Sequence, residues 1–365
     1  MRLRVIAVGI GFGLVAATLV GAPAGARPPE PIPPPTRAEV VDALRRADTY
    51  WIANGPDQAP NNWQNATFNV GNLAYVTVFG KTNGYTLPWS RKNQFALRRD
   101  PARPFFPNDL AAGEAYLDLY RFHAQPAVLA DLRARVTEHT ATVQSGQAGE
   151  WDYADALNMA MPSFARLAVM DSRPEYLTAM HQLFRYTKDS AGGCGLYSEW
   201  LGLWRRDAAS YAYWSRSNGW AIAALVKVLK VLPADDPRRP EYARIVTRMA
   251  STLRHLQRRD GFWNVDLLNP FDHPGPETTG TALLTYALAG AINQGILPEN
   301  VYRPVVERAW RGMAGTALRA DGFLGYVQGP ATRPWDSQPV SASDTAAYGV
   351  GAFLLAGSQV AALET

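Results

Sequence analysis

From residue 37 onward, apolar residues recur at helical spacing almost without a break. They fall into about a dozen segments, and two of the even-numbered ones are nearly free of charge. Gly, Pro, Asn and Asp separate the segments, which span roughly 37–53, 63–79, 86–98, 109–122, 126–143, 153–170, 174–188, 218–232, 239–258, 278–294, 299–319 and 344–361. Segment 278–294 reads TTGTALLTYALAGAINQ and segment 344–361 reads DTAAYGVGAFLLAGSQVA. Small residues on every side of a helix suit one that is covered all round. Segments 239–258 and 299–319 instead carry several Arg and Glu, as helices with one wet face do. Sequential helical hairpins of these two kinds predict an all-α fold, a closed double ring or (α/α)6 barrel. Even-numbered helices stand inside it and odd-numbered ones outside.

Composition narrows the function classes. Apolar residues make up 47% of the 365 and charged residues 19%, enough for a large core and too apolar for disorder. The net charge of +4 includes Arg2 and Arg4 of the N-terminal segment, so no basic stripe suits nucleic acid. Cys194 is the lone cysteine, which rules out an internal disulfide and a Cys-based zinc site. The five His are scattered, and no metal is expected. Arg2 and Arg4, the apolar run Val5 to Val20 and Ala24-Gly25-Ala26 read as a cleavable export signal over 1–26. A Pro-rich linker, 27–36, follows it, and then a single domain, 37–365. The chain is expected to be secreted, with no stable membrane anchor after signal removal, as a monomer or weak dimer.

In a hairpin ring all inner helices run the same way, so their N-termini converge on one mouth. The starts of the even segments bring Trp63, Asn108-Asp109, Trp151 to Asp155, Asn218-Gly219-Trp220, Thr278-Thr279 and Ser343-Asp344 there. Carboxylates, amides and indoles at one mouth suit a sugar site, and the eleven Trp and sixteen Tyr supply stacking surfaces. Asp, Asn, Ser and Thr are equally the favoured N-caps, so the capping alternative stays open at each.

Several stretches resemble one family in order. WSRSNGWAIAALVKVLKVLP (214–233) is similar to the W-x-R-x-N-G-W helix start of the unsaturated glycuronyl hydrolases, glycoside hydrolase families 105 and 88. DALNMAMPSFARLAVM (155–170), NDLAAGEAYLDLY (108–120), GLWRRDAASY (202–211), DGFW (260–263) and SASDTAAYGVGAFLLAGSQV (341–360) resemble further blocks of the same families. Family 105, the unsaturated rhamnogalacturonyl hydrolases, reads as the nearer. The resemblance covers most of 50–361 and implies an (α/α)6 barrel. Ser215-Arg216-Ser217 stands for the family's Gly-Arg-Gly, Asn108 for the first Asp of a pair and Asn158 for a common Phe. These departures leave the leaving sugar open.

The resemblance implies a cofactor-free hydrolase. Its substrate would be an oligosaccharide bearing a 4,5-unsaturated uronic acid at its non-reducing end, a pectin-like lyase product. It implies Asp155 as the acid that protonates C4, with Asp109 as the second carboxylate. A helix N-terminus favours a carboxylate, so a working acid there needs indole or phenol desolvation from Trp151 and Tyr153, or a like charge from Asp109. Asp152 competes for the acid role. Arg216 is the cation for the uronate, against a structural ion pair. Trp214, Trp220 and Trp63 are stacking candidates, Asn218 a polar contact and Trp335 a weaker rim candidate, while Arg206-Asp207 holds the turn before Trp214. His123, His139, His181 and His255 fall late in segments or on outer ones, and His273 falls in a loop. That speaks against sugar 2-epimerases on the same scaffold. A conventional inverting glycosidase and a non-catalytic carbohydrate-binding barrel remain open.

Overall fold

A computed structural model of the chain describes residues 33–80, 84–148 and 150–363. The expected export signal, 1–26, and residues 27–32 of the linker lie outside the described residues. The described residues contain twelve α-helices. They are α1 (Arg37–Asn54), α2 (Trp63–Phe79), α3 (Thr86–Lys92), α4 (Ala111–Tyr120), α5 (Ala127–Gln144), α6 (Ala156–Met170), α7 (Pro174–Asp189), α8 (Ser215–Val231), α9 (Arg239–Leu256), α10 (Thr278–Asn293), α11 (Glu299–Gly312) and α12 (Ala347–Val360). A two-residue ladder, β1 (Tyr197–Ser198) with β2 (Leu203–Trp204), runs antiparallel between α7 and α8. Pro35–Thr365 forms one compact unit. Among the described residues no helix is long and apolar enough to cross a membrane.

The even helices close a ring. Each of α2, α4, α6, α8 and α10 packs on the next, and α12 packs back on α2, so the fold is an (α/α)6 barrel. Composition sets the layers. Every residue of α10 from Thr278 to Ile292 is buried, as is every residue of α12 from Ala347 to Ser358. Where α2 crosses α12 the two backbones touch. A Cβ added to Gly351 would lie 2.3 Å from the Thr67 carbonyl oxygen, and one on Gly71 would lie 2.3 Å from the Gly351 oxygen. Only glycine fits there. Outer helices bury one stripe. In α9 it is Tyr242, Ile245, Val246, Met249, Ala250 and Leu253, which repeats at helical spacing, while Arg244, Arg248 and Arg254 stay outside the core.

Several boundaries differ from the sequence reading. Helix α3 stops at Lys92 because Gln94 and Phe95 take left-handed φ of 56° and 54°; Phe95 then packs edge-on against Tyr116. The expected helix 109–122 opens as a 3₁₀ turn, Pro107–Leu110, before α4. Helix α8 starts at Ser215, three residues early, because Ser215 N–H is taken by the Val265 carbonyl at 2.8 Å. Helix α6 starts at Ala156 instead of 153, so Asp155 is its N-cap residue rather than part of its first turn.

Candidate active site

The N-termini of the inner helices and the loops that feed them enclose a cavity of about 840 Å³. Trp63, Asn108, Asp152, Tyr153, Asp155, Arg206, Asp207, Arg216 and Trp220 are on its wall.

Asp155 is held by the backbone on either side. Ala154 N–H donates to the Arg206 carbonyl at 2.7 Å, and Tyr153 bridges Asp207 in a single antiparallel pair. The carboxylate makes no capping bond to α6. Its Oδ1 is buried without a hydrogen-bond partner, and its Oδ2 is 4.0 Å from Arg206 Nε. Arg206 is committed elsewhere: it pairs closely with Asp207, and its guanidinium lies 5.5 Å from the Tyr153 ring centroid. Tyr153 Oη–H donates to Asn108 Oδ1 at 2.7 Å. Burial first, and then the nearby Asp155 charge, push the Tyr153 phenol well above its usual value. It is therefore a neutral donor across the physiological range.

Arg216 stands in the first turn of α8 and is almost fully buried. Its Nη1 donates to the Gln328 carbonyl at 2.9 Å, the Gly329 carbonyl at 3.1 Å and Tyr348 Oη at 3.1 Å. The guanidinium lies over the Trp214 ring at 4.2 Å and the Tyr348 ring at 5.3 Å. Among the described residues, no carboxylate reaches it within ion-pair distance. Nearby Glu277 is spent on the N–H groups of Thr279, Gly280 and Gln328. A buried cation held by carbonyls, a neutral hydroxyl and π faces has its charge left for a ligand anion. Trp63 and Trp220 meet edge to face at 6.5 Å beside it, and Trp63 also packs on Tyr348 at 4.8 Å.

The structure thus gathers Asp155, Tyr153, Arg216, Trp220 and Trp63 on one wall, with Asp152 among them. Four expected site residues stand elsewhere. Asp109 is buried behind the wall, where its carboxylate accepts the Asp100 N–H at 2.8 Å and burial raises its pKa. In a 3₁₀ turn successive side chains point about 120° apart, so with Asn108 facing the cavity, Asp109 faces away. Trp214 lies fully buried under Arg216, with its indole N–H on Gln328 Oε1 at 3.0 Å. Trp151 packs into the core against Phe164.

Asn218 is a structural tie. Its Oδ1 accepts Trp204 N–H at 2.8 Å, and its Nδ2 donates to the Trp204 and Trp214 carbonyls at 2.9 Å each. It fastens β2 to the start of α8. Asn218→Ala strands these buried groups and should lower stability by about 2–3 kcal/mol in urea unfolding. A loss below about 0.5 kcal/mol would show that the tie carries no weight.

Trp335 is partly exposed beneath Arg333 on the loop whose residues Pro330 to Thr332 do reach the wall. No His lines the cavity. His139 is held neutral by burial, which lowers its pKa to about 3, and His181 bonds Tyr242 at 2.9 Å. Among the described residues, no group of three or more His, Cys, Asp or Glu could hold a metal ion. The sequence reading missed Arg103, Phe106, Tyr186 and Gly192, all on the wall. Each lies in a feeding loop or late in an outer helix. For Gly192 the signal is the Gly192-Gly193 pair: at φ 64° it faces Ala208, and a Cβ there would lie 2.1 Å from the Ala208 Cβ.

The sequence profile of Glycosyl Hydrolase Family 88 matches residues 38–363. A solved structure of a glycosyl hydrolase family 88 protein from Bacteroides vulgatus superposes with a TM-score of 0.82 at 30% identity, covering 90% of this chain and 99% of that one. An unsaturated 3S-rhamnoglycuronyl hydrolase from Formosa agariphila is 34% identical over 235 residues, 60% of each chain. One from Alteromonas sp. is 33% identical over 219 residues, 58% of this chain and 51% of the relative. The matches thus span about three fifths and about half of those two relatives' lengths. The motifs pointed to families 105 and 88 with 105 as the nearer, whereas the matching profile is that of 88. With profile, barrel and superposition in agreement over nearly its whole described length, the chain belongs to glycosyl hydrolase family 88.

Proposed function

We propose that the chain removes a 4,5-unsaturated uronic acid from the non-reducing end of lyase-generated oligosaccharides by hydrating the C4=C5 enol ether. The carrying observation is that Asp155, with one buried oxygen lacking a protein partner, shares a cavity wall with Arg216, a buried cation lacking a carboxylate. The names of the Formosa and Alteromonas relatives support the reading and suggest uronate–rhamnose polysaccharides as the source.

Asp155 gives its proton to C4, and positive charge spreads over C5 and the ring oxygen. Water adds to C5 and returns a proton to Asp155. The C5 hemiketal opens to a ketone by breaking its bond to the ring oxygen. C1 is left as a hemiacetal that releases the leaving sugar as an alcohol. Arg216 holds the uronate carboxylate, and Trp220 and Trp63 form the apolar side of the cleft.

The test follows the ultraviolet absorbance of the conjugated double bond during incubation with lyase-digested pectin and related uronate–rhamnose digests. Absorbance should fall as free sugar appears. Sugar release at constant absorbance would mean ordinary glycoside hydrolysis, and release of neither would mean a binding protein. Action outside the cytoplasm belongs to the same reading. The basic and apolar pattern of 1–26 supports it, and recovery from culture medium of a chain starting after Ala26 tests it.

A further inference from the structure

The cavity wall carries a third cation, Arg103, that the proposed reaction does not use. It precedes the 3₁₀ turn before α4 and stands at the mouth, with its side chain 41% exposed. Its guanidinium carbon lies 3.6 Å from the Phe106 ring centroid, and its Nε donates to Glu150 Oε2 at 2.8 Å. The stack fixes the plane of the fork, and the single-point bond to Glu150 fixes its rotation. Among the described residues, no hydrogen bond engages either Nη. Glu150 is off the wall and pairs through Nε, which leaves the Nη edge turned to an incoming anion. Arg206, by contrast, is closed off by Asp207.

Placement gives this group a meaning. The ring order is α4, α6, α8, so Arg103 and Arg216 enter on opposite sides of Asp155. A uronate on Arg216 leaves the Arg103 side for the rest of the oligosaccharide. The cavity, about 840 Å³, is in the upper range of ligand clefts and has room for more than one sugar ring.

Resting on the function proposed above, we propose that Arg103 binds an anionic substituent, a sulfate ester or a carboxylate, on the sugar next to the unsaturated uronate. Its open Nη edge matches a pair of oxygens on such a group.

The experiment compares three unsaturated uronyl disaccharides whose leaving sugar is neutral, carries a sulfate ester or carries a carboxylate. It measures kcat and KM for wild type, Arg103→Lys and Arg103→Gln. Wild type should favour one charged substrate over the neutral one by about ten- to a hundredfold in kcat/KM, mostly through KM. The favoured arm identifies the anion. Arg103→Gln should collapse the ratio towards one, and Arg103→Lys should restore part of it, since the charge returns without the fork. Because each ratio is taken within one variant, a general loss of folded enzyme cancels. A ratio unchanged by Arg103→Gln, or a wild type indifferent to all three leaving sugars, overturns the proposal while the function stands. Turnover of none of the three overturns the function reading and this proposal with it.

Discussion

Asp155→Asn should lower kcat on an unsaturated uronyl disaccharide by roughly a hundred- to ten-thousandfold, the range for loss of a general acid–base group. Asn is nearly isosteric but cannot deliver a proton to C4. The fold should survive, because the Asp155 side chain makes no capping bond to α6 and its Oδ1 has no protein partner to lose. The local chain path is fixed by backbone bonds, Ala154 N–H to the Arg206 carbonyl and Met159 N–H to the Asp155 carbonyl, which the substitution leaves alone. Circular dichroism and thermal unfolding should therefore match wild type while turnover collapses. KM should change little, since uronate binding rests on Arg216. If the folded variant keeps more than about a tenth of wild-type kcat, Asp155 is not the acid. Asp152 or Asp207, the other carboxylates on the wall, then takes its place.

The barrel was legible in the sequence because its two layers differ in composition. An inner helix such as α10 or α12 needs small residues wherever backbones touch, as Gly71 and Gly351 do at the α2–α12 crossing. That demand writes itself into the sequence as Ala- and Gly-rich segments of low charge, clearest in α10 and α12. Helix starts were less legible, since they depend on bonds from distant loops. The Val265 carbonyl that begins α8 at Ser215 is far along the chain and leaves no local trace.

The site was legible in its motifs but not in their directions. In the run Trp214 to Trp220, Arg216 and Trp220 are four apart and share a helix face, which the structure turns to the cavity. Asn218, two residues from each, falls on the far side and ties β2 to α8. The 3₁₀ turn at Pro107–Leu110 likewise puts Asn108 rather than Asp109 at the wall. Arg103 escaped because the reading took residues from helix starts, whereas the feeding loops supply half of the mouth. Their path is set by packing, here the Arg103 stack on Phe106, and not by periodicity.

Arg216→Ala should lower kcat/KM by roughly 10–200-fold. A charge-assisted bidentate pair in a partly dry site contributes about 1.5–3 kcal/mol. The same side chain also binds the Gln328 and Gly329 carbonyls and Tyr348 Oη, so its removal loosens the loop that closes the α12 side of the cavity. A drop in activity alone cannot separate these two effects. Comparing the acid substrate with its neutral uronate methyl ester does, because both meet the same loosened loop. Wild type should discriminate strongly against the ester. Arg216→Ala should act on acid and ester at nearly equal, low rates. Arg216→Lys should recover part of the discrimination, since it keeps the charge and loses the planar fork. Equal discrimination by wild type and Arg216→Ala would make Arg216 a purely structural clamp between α8 and residues 328–329. The carboxylate would then have to be held by another donor on the wall.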